Sequence, residues 1–120
     1  MTDITTTVER YIAAWNEPDA DRRRSIVGET WTDDGTYLDP LMAGDGPDAI
    51  AAMIGGAQAQ FPGHRFELAT GPDAHHDRVR FTWKLVGQED GGAVAVGVDF
   101  ATVAGDGRLR EVTGFLESAA

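Results

Sequence analysis

The chain has 120 residues, 42% of them hydrophobic and 25% charged, with a net charge of −10. That balance suits a single compact domain over residues 1–120 and argues against disorder. Twenty acids against ten bases argue against nucleic acid and anionic membranes as partners, and the absence of cysteine excludes disulfides and thiolate chemistry.

Ile4, Val8, Tyr11, Ile12 and Trp15 recur at three- and four-residue spacing and predict a helix over 4–16. Thr6-x-x-Glu9 resembles a capping box, which would start the helix near Thr5 or Thr6. Pro18 ends it, and Asp19 can cap a second helix that runs to about Trp31, with Ile26, Val27, Thr30 and Trp31 on its inner face. Arg22-Arg23-Arg24 in that helix reads as a solvated face paired with nearby acids. Asp33-Asp34-Gly35 is a turn signal, and a short strand from Thr36 to Asp39 stops at Pro40. Residues 44–47 form a loop into a third helix with Pro47 near its first position. Ile50, Met53, Ile54 and Ala57 give that helix a buried stripe, Gly55-Gly56 weaken it, and Phe61-Pro62-Gly63 closes it.

From His64 the period becomes two. Phe66, Leu68 and Thr70 alternate with polar neighbours, residues 71–77 form a hairpin connection, and Val79, Phe81, Trp83 and Leu85 alternate in the next strand. His75 and His76 read as a polar hairpin tip. No third ligand stands at a recognisable spacing, so no metal is expected. His64 sits either at a cavity mouth or at the start of a strand.

Val94 to Val103 reads as a central strand whose single charge is Asp99. A lone carboxylate there costs several kcal/mol unless it is paired, hydrogen-bonded or protonated. Ala95, Gly97, Ala101 and Val103 share its face, so that face is expected to leave empty volume around an acid. Val94, Val96, Val98 and Phe100 form the opposite, apolar face, which predicts a homodimer through the sheet. A last strand spans Arg108 to about Glu117, with a bulge within 112–116. The sum is an α+β protein: a cone-shaped curved antiparallel sheet wrapped around three N-terminal helices, with a central pocket. No run approaches the roughly 18 apolar residues of a membrane span, and no secretion leader is evident, so a cytoplasmic location is expected.

Arg10-Tyr-Ile-Ala-Ala-Trp-Asn16, then Trp31-Thr-Asp-Asp-Gly-Thr-Tyr-Leu-Asp-Pro40, then the four-strand run with Asp99 resemble the nuclear transport factor 2-like superfamily. The SnoaL-like and ketosteroid-isomerase-like branches are nearest, and the resemblance covers essentially the whole chain. It implies that Tyr11 and Asp99 form an oxyanion hole and that Asp39, at an Asp-Pro strand end, moves a proton. In ketosteroid isomerase itself an aspartic acid is kept neutral by an apolar site. Met53, Ile54, Phe61, Phe81, Trp83 and Leu116 are candidates for an apolar wall. Trp15 and Trp31 would take up volume near the base of the cone and favour a ligand smaller than a steroid.

The implied activity is cofactor-independent isomerase, cyclase or lyase chemistry on a small apolar carbonyl compound, by carboxylate proton transfer and enolate stabilisation. The alternative is a non-catalytic small-molecule binder. An epoxide hydrolase would need an Asp-Arg-Asp set around a water, and Arg80 alternates onto the wrong face for that role.

Overall fold

The computed structural model describes residues 3–87, 89 and 91–118. Helix α1 (Ile4–Asn16) buries Val8, Tyr11, Ala14 and Trp15, the stripe its spacing predicts. Its cap is Asp3, which accepts from the Thr5 N–H at 3.3 Å, rather than Thr5 or Thr6. The next threonine, Thr7, donates to the Gly107 carbonyl at 2.9 Å and ties the helix to the turn before the last strand. Helix α2 (Ala20–Thr30) is capped by Asp19, which accepts from the Arg22 N–H at 2.9 Å.

Strand β1 (Trp31–Leu38) follows at once. Asp33-Asp34-Gly35 does not reverse the chain. It lies within the strand, where the register slips between Trp31 and Thr36. Gly35 packs on the Trp31 indole so closely that a Cβ would lie 2.8 Å from it, which no side chain tolerates. A three-residue strand, β2 (Ala43–Asp45), pairs antiparallel with β1 where a loop was expected. Helix α3 (Pro47–Gln60) comes next. Its two glycines cost about 1 kcal/mol each. Full burial of Ile50 and Ile54 at about 1.5–3 kcal/mol apiece outweighs that.

Strands β3 (His64–His75), β4 (Arg78–Gly87), β5 (Ala93–Val103) and β6 (Leu109–Ser118) complete the sheet. The strand order is β2-β1-β6-β5-β4-β3. β3 runs further than expected, and the reversal is confined to His76-Asp77, with His76 in the left-handed region at φ 53°. The α+β cone is present with one refinement. The curved, unclosed sheet is mixed, because β1 runs parallel to β6. A parallel pair needs a long crossover, and α3 with β3 to β5 supplies it. The helices cover the concave face. Val79, Phe81, Ala101, Leu109 and Val112 meet Val8, Val27, Ile50 and Ile54 in one hydrophobic cluster.

The arginine run departs from the sequence reading at its middle residue. Arg24 does pair with Asp21 at 3.7 Å on an exposed face. Arg23 is buried instead. Its guanidinium donates to the carbonyls of Ala51 at 3.2 Å and Glu17 at 2.8 Å, and to Gln58 Oε1 at 2.9 Å. Gln58 Nε2 in turn donates to the carbonyls of Trp15 and Glu17, both at 2.9 Å. Gly55 leaves room for the guanidinium, since a Cβ there would lie 2.7 Å from it. Arg23 therefore staples the end of α1 to α3 and satisfies the Glu17 carbonyl that the end of α1 leaves orphaned.

On the outer face of the sheet, Phe100 and Phe115 are about half exposed, at 44% and 56%. Among the described residues no helix is long and apolar enough to cross a membrane.

Candidate active site

The site begins with the alternation of β5. Gly97, Asp99 and Ala101 point inward and are buried, while Phe100 points out. The small residues beside Asp99 do not all leave empty volume. The Trp83 indole from β4 lies over Gly97, where a Cβ would come within 2.3 Å of the ring. Ala95 does face a cavity, of about 260 Å³, that Asp99 also lines. The register slips between Leu85 and Val86 of β4, which leaves Val94 as an extra, unpaired residue on β5, and Val94 too lines the cavity.

Directly across from Asp99, on β6, stands Gly114. A Cβ at Gly114 would lie 2.7 Å from Asp99 Oδ1, 3.2 Å from Asp39 Cβ and 3.3 Å from the Tyr37 hydroxyl. The missing side chain is what lets two acids and a tyrosine from β1, β5 and the β1–β2 loop converge. The Tyr11 hydroxyl arrives from α1 and donates to Asp99 Oδ2. The three candidate catalytic residues, Tyr11, Asp39 and Asp99, thus line one cavity.

The two carboxylates are held differently. Asp39 Oδ1 accepts from the backbone N–H groups of Leu41 at 2.8 Å and Met42 at 2.9 Å, and Oδ2 accepts from the Tyr37 hydroxyl at 2.6 Å. Asp99 is buried to 1% exposure, and among the described residues its Oδ1 has no hydrogen-bond partner within 3.5 Å, although the Trp83 indole lies near the carboxyl. Burial pushes the Asp99 pKa from 3.8 up to about 6; the Tyr11 hydroxyl and the Trp83 indole draw it back, and the Asp39 charge adds to the rise. Burial raises both tyrosines well above their usual value, and the Asp99 charge reinforces this, so each hydroxyl stays a donor.

Of the expected wall residues, Trp15, Phe61, Trp83 and Leu116 line the cavity. Trp31, Ile54 and Phe81 do not, because they are fully buried in the core behind it. Trp31 and Phe81 pack on the Tyr11 ring, at centroid distances of 5.2 and 5.1 Å, and so fix the position of its hydroxyl. Met53 is half-buried against the same core on α3. Only Phe61, just past the end of α3, brings that helix to the cavity.

Tyr37 and Phe66 are wall residues that the pattern reading passed over. Tyr37 could have been found, since it stands two residues before Asp39 and shares its side of the chain. Asn16 docks α1 on β3 by accepting from the Phe66 N–H at 2.7 Å and donating to the Phe66 carbonyl at 2.8 Å. That places Trp15 against Phe66, with ring centroids 5.2 Å apart.

His64 begins β3, and its Nδ1 donates to the Pro62 carbonyl at 3.0 Å. His75 and His76 are at the exposed hairpin tip, away from the cavity. Among the described residues no group of three His, Asp or Glu side chains is placed to hold a metal. Arg80 is exposed and pairs with Asp73 at 3.2 Å, outside the cavity.

Three helices against a curved, unclosed sheet, with two acids lining its cavity, define a nuclear transport factor 2-like fold. The SnoaL-like domain family matches residues 8–112, and the chain belongs to that family. A SnoaL-like family protein from Agrobacterium tumefaciens, provisionally assigned as an isomerase, is similar over 98% of this chain and 100% of its own, at 47% identity and a TM-score of 0.90. A SnoaL-like protein from Jannaschia, provisionally a polyketide cyclase, shares the fold at 22% identity and a TM-score of 0.71, over 98% of this chain and 90% of its own. A protein from Sinorhizobium meliloti, also provisionally a polyketide cyclase, does so at 22% identity and 0.69, over 95% and 94%. No curated protein matches the sequence.

Proposed function

We propose that the protein is a cofactor-independent enzyme of the isomerase, cyclase or lyase type, acting on a small apolar carbonyl compound. The observation that carries this reading is Asp99: a buried carboxyl on the cavity wall, gripped at one oxygen by Tyr11 and free at the other. A proton acceptor for a C–H beside a carbonyl needs a free oxygen and a basicity near neutrality, and Asp99 combines both. Asp39, the base that the resemblance implies, already accepts three hydrogen bonds. Those contacts support the reverse assignment. Asp99 takes the proton from the carbon, the C–H electron pair becomes a carbon–carbon double bond, the carbonyl π pair moves to oxygen, and Asp99 returns the proton at the next step. Asp39 orients the Tyr37 hydroxyl, which together with the Trp83 N–H can turn to the developing enolate. The provisional assignments of the Agrobacterium, Jannaschia and Sinorhizobium proteins are compatible with this chemistry.

The test is deuterium uptake at the carbon next to a ketone, followed by proton NMR in heavy water. The wild type should accelerate uptake, and Asp99→Asn should abolish the acceleration while its melting transition stays cooperative. A wild type that binds ketones without accelerating exchange would make the protein a binder and end the enzymatic reading. The exposed Phe100 and Phe115 support the homodimer expected through the sheet; a monomeric mass by light scattering at micromolar concentration would end that reading.

A further inference from the structure

The ionisable side chains of the cavity are clustered in one part of it. Asp39, Asp99, Tyr11 and Tyr37 gather there. Its mouth is ringed by Leu41, Phe61, Val94 and Leu116, exposed by 73%, 41%, 38% and 44%. These are half of the large hydrophobic side chains that stand exposed among the described residues. Among those residues no Arg, Lys or His lines the cavity, which leaves the two carboxylates without a counter-cation in its wall. The surrounding protein carries a net charge of −10.

We infer that the ligand is an uncharged, compact carbonyl compound that enters carbonyl first and leaves its hydrocarbon part against the apolar collar. This rests on the proposed function and adds charge, orientation and size to it. Two carboxylates in a low-dielectric pocket repel a third negative charge by several kcal/mol, and the collar has no donor to receive one. Carboxylic acids, phosphates and thioesters of anionic carriers are therefore excluded, and the reaction that supplies this substrate must release it as a free neutral molecule. At about 30 Å³ for each water-sized group, the 260 Å³ of the cavity encloses on the order of ten non-hydrogen atoms. One ring with a short chain fits, and four fused rings do not.

Benzylacetone and hydrocinnamate are near-isosteric, a methyl ketone against a carboxylate on the same phenylethyl body. Titration of each against the intrinsic fluorescence, which Trp15 and Trp83 in the wall should report, measures the discrimination. Benzylacetone is expected to bind at least about tenfold more tightly than hydrocinnamate, and more tightly than a steroid enone. Leu116→Lys, which places a cation on the exposed collar, should narrow the gap between ketone and acid. Equal or tighter binding of hydrocinnamate overturns the inference, as does preference for the steroid or absence of benzylacetone binding at millimolar concentration. Deuterium uptake separates the two proposals. Selective ketone binding without uptake defeats the enzymatic reading and leaves the ligand class standing. Uptake by ketones together with tight acid binding does the opposite.

Discussion

Arg23 and Asp99 are both charged and both nearly inaccessible, yet their surroundings are opposite in kind. Arg23 lies between α1, α2 and α3 and donates to carbonyls and to Gln58. Asp99 lies on the sheet with one oxygen bonded by Tyr11 and the other without a partner. A buried charge whose hydrogen bonds are made holds structure together; one left half-satisfied is a cost to the fold. The helix layer therefore uses its buried charge for stability, and the proposed function assigns the cavity's to reactivity.

Asp99→Asn is the sharpest way to test that contrast. It should lower activity by about 10³-fold, the scale of a lost general base, and leave stability at neutral pH unchanged or raised. Arg23→Met should do the reverse. Orphaned carbonyls and an unanchored Gln58 should cost about 2–4 kcal/mol, lowering the melting temperature by roughly 10 °C or more, and activity per folded molecule should survive. If Arg23→Met melts like the wild type, the structural half of the comparison is wrong.

The pH dependence of stability sharpens the other half. Because the folded pKa of Asp99 is raised from 3.8 to about 6, the folded state holds its proton more tightly than the unfolded chain. Stability should therefore fall as pH rises between those values, by up to about 3 kcal/mol from this group. Denaturant titrations across that window should show the slope in the wild type and not in Asp99→Asn.

Gly114→Ala should follow in size. Its methyl would meet Asp99, Asp39 and the Tyr37 hydroxyl together, costing about 1–3 kcal/mol of stability and most of the exchange activity. Tyr37→Phe should be mildest. It removes one of three donors from Asp39, worth about 1 kcal/mol, with a measurable loss of rate at unchanged ketone affinity.

Much of the fold was legible because local chemistry and long-range packing agreed. The spacing of Val8, Tyr11 and Trp15 set the first helix, and Asp19 stands where its cap was expected. What could not be read depended on distant partners. Nothing local in Asp33-Asp34-Gly35 reveals that it will form an irregularity inside a strand whose two flanks, Trp31 and Thr36, pair with β6 more than 70 residues away. Arg23 looks like its two neighbours until Gly55 and the end of α1 are set against it. Gly97 looked like empty space and is the footing for Trp83. Alternation marked Asp99 as unusual, but only the β5–β6 register shows that Gly114 is its opposite and that Asp39 shares the space. Alternation likewise could not say that Phe81 faces the far side of Tyr11 from the cavity.

The position of β6 has a consequence for folding. It is the last of the strands, yet it lies between β1 and β5. Without residues 109–118 the pairings would leave two separate pieces, β2-β1 and β5-β4-β3. Asp39 is on one and Asp99 on the other. Pairing β6 with both β1 and β5 is a long-range step, the kind that slows folding and leaves strand edges open to wrong partners until it is made. The two acids meet only when that strand is in place, so the cavity is assembled by a long-range step of folding.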